Sequence, residues 1–156
     1  MKQQIIRACD IPSLLYDLSW HNPPNIQKNA VNSLALFSAD NLFKAYQSIR
    51  CDKDKWRNFV YIIKKIDYPN NERLLSILFE LLQDINWPGA QESVEYLSTL
   101  NTDVLFPLLK EYIRTAYNNK DTMWLGGLKL LTDKVYGDEH NFPDKTVYTM
   151  LYDADF

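Results

Sequence analysis

The sequence predicts an all-α fold of about nine helices. Apolar residues recur at helical spacing along nearly the whole chain, and no segment alternates apolar and polar residues as a half-buried strand requires. The breaks between the apolar stripes are short. Pro24, Pro69, Pro88 and Pro143 lie where helices can begin, since proline lacks the N–H that a first turn leaves unpaired. Breaks this short make consecutive helices antiparallel.

Each predicted helix has its own apolar stripe, which can cover one side of a helix. A short opening helix comes first, and a longer helix follows Pro24. Well-marked stripes then continue along the chain, and the closing stripe is the weakest. In chain order, the predicted helices span residues 14–18, 26–37, 42–49, 56–66, 74–82, 90–97, 104–116, 124–135 and 146–151.

The composition is that of an ordinary globular domain. The chain has 156 residues, of which 46% are hydrophobic and 24% charged, enough for one domain spanning 1–156 with a continuous core. Charge interrupts the apolar residues at the amino terminus, and no apolar run could cross a bilayer, so we expect a cytoplasmic protein with no membrane partner. Cys9 and Cys51 are typical of reduced, partly buried thiols, with a single disulfide as the alternative.

Negative charge is concentrated at the C-terminal end of the chain. The formal net charge is −3, and from Gly137 onward five acidic residues stand against Lys145 alone. A protein that grips phosphates is expected to have a basic face and a high pI, whereas the pI here is about 5.3. Nucleic acid is therefore disfavoured as a partner.

An internal similarity relates the two halves of the chain. Residues 22–27 (Asn-Pro-Pro-Asn-Ile-Gln) align with residues 86–91 (Asn-Trp-Pro-Gly-Ala-Gln) at an offset of 64, and 53–56 align with 120–124 after a few inserted residues. We interpret the chain as two degenerate copies of a multi-helix unit, at about 14–82 and 83–152. Repeats of helix pairs stack into a curved α-solenoid, and a compact helical bundle is the alternative.

One segment resembles the signature of an uncharacterised bacterial HEAT-like family, in which a leucine-rich helix precedes Leu-Gln-Asp-x-Asn-Trp-Pro-x-Ala. The matching run here is Leu81-Leu82-Gln83-Asp84-Ile85-Asn86-Trp87-Pro88-Gly89-Ala90. Other parts of the same pattern are Trp20 with Pro24, Trp56 before an apolar helix, and Asp121 with Trp124. The resemblance covers residues 14–135 and implies a HEAT-like solenoid of antiparallel helix pairs, of bacterial origin and with no established activity.

The residues of this signature are expected to be structural. Asn86 is predicted to cap a helix that Pro88 opens, with Trp87 packed over the joint and Trp20 in a similar place near Pro24. The pair Gly126-Gly127 is expected to permit a close contact between helices. The full set is Trp20, Pro24, Trp56, Asp84, Asn86, Trp87, Pro88, Asp121 and Trp124.

No catalytic constellation, metal site or cofactor site is predicted. Asp138-Glu139-His140 could share a divalent ion, but His21 is the only other histidine, and a solvated loop is favoured. A HEAT-like DNA glycosylase would use its tryptophans with Asp84 or Asp121, which are more simply helix caps or residues of a polar helix face. Such an enzyme would also need a basic groove, and the lysines and arginines form no recognisable stripe.

Acidic residues of the C-terminal half are the candidate partner-binding surface. They could steer a basic protein toward the chain, and an ordinary solvated face is the alternative. The candidate residues are Glu92, Glu95, Glu111, Asp133, Asp138 and Glu139.

We therefore expect a noncatalytic protein-binding module. By analogy with HEAT-like proteins of this size, we expect a bacterial immunity protein that neutralises a cognate toxin by binding its basic domain. A general HEAT-like scaffold or regulator is the second hypothesis, and the DNA glycosylase is the third.

Overall fold

The structure is a computed structural model that describes residues 10–49 and 51–155. Nine α-helices lie in these ranges with a few short 3₁₀ segments, and the ranges contain no strand, which confirms the all-α prediction. The helices are α1 Ile11–Asp17, α2 Pro24–Leu34, α3 Ala39–Ser48, α4 Lys53–Ile66, α5 Leu75–Leu81, α6 Ala90–Leu97, α7 Thr102–Asn118, α8 Thr122–Tyr136 and α9 Lys145–Met150.

Side-chain caps fix where several of these helices begin. Ser38 accepts a hydrogen bond from the backbone N–H of Asn41 at the start of α3, and Asn101 accepts one from Asp103 at the start of α7. Asp144 caps α9 in the same way through Val147. Pro24 is the first residue of α2, as its sequence position predicted.

The chain forms two compact units, Met1–Ser76 and Ile77–Phe156. In the first unit, α1 packs against α2 and α3, α2 packs against α4, and α3 packs against the 3₁₀ segment Glu72–Leu74. The core of this unit is built from side chains that are almost fully buried: Leu15, Leu18, Leu34, Leu42, Phe59, Ile62, Ile63 and Leu74.

In the second unit, α8 is the central helix. It packs against α6, α7 and the 3₁₀ segment Leu151–Asp153, while α9 packs against α7. The core of this unit consists of aromatic and aliphatic side chains: Phe79, Leu82, Leu97, Leu105, Leu109, Ile113, Leu128, Leu131, Phe142, Val147 and Leu151.

Two close contacts join α8 to the end of α5 and to the turn that follows it. The indole Nε1 of the buried Trp124 donates a hydrogen bond of 3.0 Å to the carbonyl oxygen of Phe79. Gly127 lies against the backbone of Leu82, so a side chain at this position would collide with it. Gly126-Gly127 was expected to permit a close contact between helices, and Gly127 makes a close contact with the turn residue that follows α5.

The corner between α7 and α8 is a Schellman motif. The N–H of Lys120 donates to the carbonyl oxygen of Tyr117 at 3.0 Å, and the N–H of Asp121 donates to that of Ala116 at 2.9 Å. Lys120 adopts a left-handed conformation, with φ of 55°. A residue other than glycine thus occupies a position where glycine is usual.

The described residues also bear on the expected state of the cysteines and on the expected lack of a membrane-spanning segment. The thiol of Cys51 is free and half-buried, while Cys9 lies outside the described residues. Within 10–49 and 51–155, none of the helices combines the length and the apolar composition needed to span a membrane. The solenoid arrangement and the relation between repeat copies stay predictions.

Candidate protein-binding site

A cleft of about 410 Å³ lies between α6 and α8. Each helix lines it with residues at positions i, i+3 and i+4, which share one helix face. The lining residues, called the acidic cleft below, are Gln91, Val94 and Glu95 of α6 and Leu130, Asp133 and Lys134 of α8. Val94 and Leu130 are its apolar lining residues, and Leu130 is 42% exposed although its helix is the centre of the unit.

The first turn of α6 sets the position of its wall of the cleft. Gly89 precedes the helix with φ of 89°, and the hydroxyl of buried Ser93 donates a 2.7 Å hydrogen bond to the carbonyl oxygen of Gly89. Ser93 and Tyr96 bury the opposite side of the helix. Glu95 is consequently held at the solvent side of the cleft, where its carboxylate is exposed.

Asp133 is held in place by two side chains. Its Oδ1 accepts a hydrogen bond of 2.8 Å from the hydroxyl of Tyr148, and its Oδ2 accepts one from the ammonium of Lys129. Burial and this bond to Asp133 raise the pKa of the Tyr148 hydroxyl to about 12. Tyr148 therefore stays neutral and donating at physiological pH, and Asp133 has a fixed orientation.

A second acid–tyrosine contact follows α8. Glu139 accepts a hydrogen bond from the hydroxyl of Tyr152, whose side chain is 60% exposed, and this bond raises the pKa of Tyr152. Asp138 accepts a 2.9 Å hydrogen bond from the backbone N–H of His140 and so caps the 3₁₀ segment Glu139–Asn141. These acids stabilise local structure as well as contributing charge.

The structure thus brings together only part of the predicted acidic surface. Among the described residues that line the cleft, Glu95 and Asp133 are the acids. Glu92 is half-buried in the first turn of α6, and Glu111 is exposed on α7. Asp138 and Glu139 belong to the segment that follows α8.

The metal interpretation of Asp138-Glu139-His140 gains no geometric support. No group of three or more histidine, cysteine, aspartate or glutamate side chains in 10–49 and 51–155 is arranged to hold a metal ion. His140 instead contributes its backbone N–H to Asp138 and its carbonyl oxygen to Lys145.

Two signature acids accept hydrogen bonds from the backbone, and one of them caps a helix. Asp121 caps α8 by accepting a 3.0 Å hydrogen bond from the backbone N–H of Trp124. Asp84 accepts one of 2.9 Å from the N–H of Asn86, which closes the turn after α5. Trp56 is also anchored, since its indole Nε1 donates to the carbonyl oxygen of Cys51 at 2.7 Å.

Other details of the signature were predicted wrongly. Asn86 caps no helix and Pro88 does not open one, because the left-handed turn at Gly89 delays the start of α6 until Ala90. Trp87 is half-buried in this turn. Trp20 is 53% exposed, so its ring is not buried over the joint between α1 and α2.

The prediction that basic residues form no stripe is also wrong. Lys53, Arg57 and Lys64 are exposed on one side of α4, with Tyr61 between them. Their spacing of i, i+4, i+8 and i+11 is readable in the sequence. It was missed because the net charge of the whole chain hides a local excess of basic residues.

The two units differ sharply in charge. Met1–Ser76 contains eleven lysines and arginines against seven aspartates and glutamates, for a net charge of +4. Ile77–Phe156 contains six against thirteen, for a net charge of −7. The acidic cleft therefore belongs to a unit that is acidic as a whole.

Comparison of the chain with protein-family models, with curated proteins and with solved structures finds no significant match.

Proposed function

We propose that this protein is a noncatalytic protein-binding module, and specifically a bacterial immunity protein that neutralises a cognate toxin by covering a basic surface of it. The observation that carries the proposal is the acidic cleft, in which the carboxylates of Glu95 and Asp133 line the same space as the exposed Leu130 and one cation, Lys134. Carboxylates beside apolar surface fit a lysine or arginine side chain of a basic protein.

Each wall of the cleft has a different role in this proposal. The aliphatic stem of the partner's cation packs on Leu130 and Val94, while Glu95 accepts its hydrogen bonds. Both oxygens of Asp133 already accept hydrogen bonds from Tyr148 and Lys129, so Asp133 contributes mainly its charge. Its fixed position means that little side-chain entropy is lost when the partner binds.

The net charge of the whole second unit also favours a basic protein as the partner. The net charge of −7 on Ile77–Phe156 attracts a basic protein and accelerates encounter, with less effect on the lifetime of the complex. Such steering weakens as salt screens exposed charges, over a distance of about 8 Å at physiological ionic strength.

The proposal also covers the arrangement of the helices and the compartment in which the protein acts. We infer a HEAT-like solenoid of antiparallel helix pairs, which is supported by the contacts between the successive helices α1 and α2 and between α7 and α8. Such an immunity protein acts in the bacterial cytoplasm, where it meets the toxin before the toxin reaches its target.

A growth-protection experiment tests the function. The chain is co-expressed with candidate basic toxins taken from the genes that neighbour its own, and wild type is expected to restore growth against one of them. The double variant Glu95→Lys/Leu130→Lys changes the net charge of the six lining residues from −1 to +2 and replaces the exposed leucine, and it should fail to protect. Glu72→Lys, an exposed acid of the other unit, is the matched control and should protect. Protection that survives the double variant, or no protection by wild type, would overturn the proposal.

A further inference from the structure

The solvent-facing side of α4 carries basic and aromatic side chains and no acidic one. Within Lys53–Ile66, all of which the structure describes, the exposed residues are Lys53, Arg57, Tyr61, Lys64 and Lys65. The opposite side is buried in the core of the first unit through Phe59, Val60, Ile62 and Ile63. These five exposed residues, called the basic face below, are thus presented on a helix that the core holds in place.

Helix geometry places most of the basic face on one line. Residues 53, 57, 61 and 64 fall within an arc of about 80°, and Lys53 and Lys64 are about 16 Å apart along the axis. The ring of Tyr61, 41% exposed, lies between Arg57 and Lys64 in this row. Lys65 widens the row at its C-terminal end.

The helix that neighbours the basic face adds no negative charge. Helix α2, which packs against α4, contains no acidic residue. Asp54 is turned away from solvent and forms an ion pair of 3.1 Å with Lys55, whose side chain is buried. The exposed acids Asp52 and Asp67 occupy the two cap positions of the helix.

We propose that the basic face binds the phosphate backbone of a single-stranded nucleic acid. Cations spaced by one helical turn neutralise successive phosphates, and the exposed ring of Tyr61 stacks on a base. A duplex keeps its bases stacked inside and leaves Tyr61 without such a contact. An acidic protein segment complements the cations equally well but has no base for the ring. The inference is independent of the acidic cleft, since it uses another helix in the other unit.

The salt dependence of binding tests the phosphate contacts. The full chain is titrated into a fluorescein-labelled single-stranded RNA of about 20 nucleotides, and anisotropy is followed between 50 and 200 mM salt. Four cations predict a slope of log K against log salt of about −3, or roughly a 50-fold loss of affinity over this range. Lys64→Gln/Lys65→Gln should reduce the slope to about −1.4.

The control and the tyrosine variant separate local contacts from overall charge. Lys28→Gln/Lys44→Gln makes the same charge change at exposed positions on α2 and α3 and should leave the slope unchanged. Tyr61→Ala should weaken binding by about 5- to 150-fold without changing the slope, since it removes stacking and no cation. Circular dichroism establishes that each variant is folded.

Three outcomes would overturn the proposal. The first is no binding at 50 mM salt, and the second is an equal loss of affinity in the Lys28/Lys44 control. The third is that a duplex of the same length, or a glutamate-rich peptide, binds as tightly as the single strand and with the same sensitivity to Tyr61→Ala. That result would assign the basic face to a different polyanion.

Discussion

A β-carbon placed on Gly127 would lie 2.1 Å from the carbonyl oxygen of Leu82. The backbone of α8 thus meets the chain just beyond α5 with no side chain between them. The indole of Trp124, one turn earlier on α8, donates its hydrogen bond to Phe79 in the same region. Because α8 also carries one wall of the acidic cleft, this contact helps to position Leu130 and Asp133.

Gly127→Ala should destabilise the protein strongly. Helix propensity alone favours alanine by about 1 kcal/mol, so the sign of the effect distinguishes propensity from packing. Because the obstacle is a backbone carbonyl that cannot rotate away, we expect a loss of about 3 kcal/mol or more. Urea unfolding followed by circular dichroism measures the difference. Lys134→Ala, at an exposed position of the same helix, should change stability by less than about 0.5 kcal/mol.

Lys120→Gly should stabilise the protein. The left-handed conformation at the Schellman corner costs a residue with a β-carbon about 1–2 kcal/mol, and glycine removes this cost. Part of the resulting gain is offset, because glycine has greater conformational freedom in the unfolded chain. We expect a net gain of about 0.5–1 kcal/mol in the free energy of unfolding. Asn119→Gly is the control: Asn119 has a right-handed conformation, so only the entropic loss should remain. A gain in both variants would contradict this account.

Cys51 should react slowly in the folded protein. Burial raises the pKa of its thiol from 9.0 to about 12, which lowers the fraction of reactive thiolate about a thousandfold. The measurement is alkylation by iodoacetamide at pH 8 in a Cys9→Ser background, with the urea-unfolded chain as the reference. Equal rates in the folded and unfolded chains would show that Cys51 is accessible and ionised.

The bond between Tyr148 and Asp133 predicts a loss of stability at high pH. Since the folded protein raises the pKa of Tyr148 from 10.0 to about 12, its contribution is fully present below pH 10 and disappears as pH rises toward 12. Tyr148→Phe should therefore lose stability at pH 8 and show a weaker fall between pH 10 and 12. Urea unfolding across this range tests the prediction, with the half-exposed Tyr117→Phe as the control. An unchanged pH dependence in Tyr148→Phe would refute it.

Much of the helical structure could be predicted because apolar spacing records which side of each helix is buried. All nine predicted elements overlap an observed helix in the described ranges. Local turn geometry was harder to predict. Asn86 and Pro88 have the residue types of a helix start, but the left-handed φ of Gly89 places the start of α6 at Ala90. A helix that begins at Pro88 and a helix that begins at Ala90 both fit the same sequence pattern, and only the backbone conformation distinguishes them.

The acidic cleft could be predicted only in part. The acidity of the C-terminal half is visible in the sequence. That Glu95 and Asp133 line the same cleft, however, depends on the contact between α6 and α8. The bond from Tyr148 to Asp133 likewise joins residues that local spacing does not relate. Leu130 has no feature in the sequence that distinguishes it from the buried leucines of α8.

The acidic cleft is tested most directly by the kinetics of binding to the toxin that the growth-protection experiment identifies. Surface plasmon resonance should give an association rate constant that falls with salt, and Glu95→Lys/Leu130→Lys should lower it about tenfold or more and hasten dissociation. Glu72→Lys should behave as wild type. Unchanged kinetics in the double variant, with the complex intact, would contradict the assignment of the cleft as the binding site.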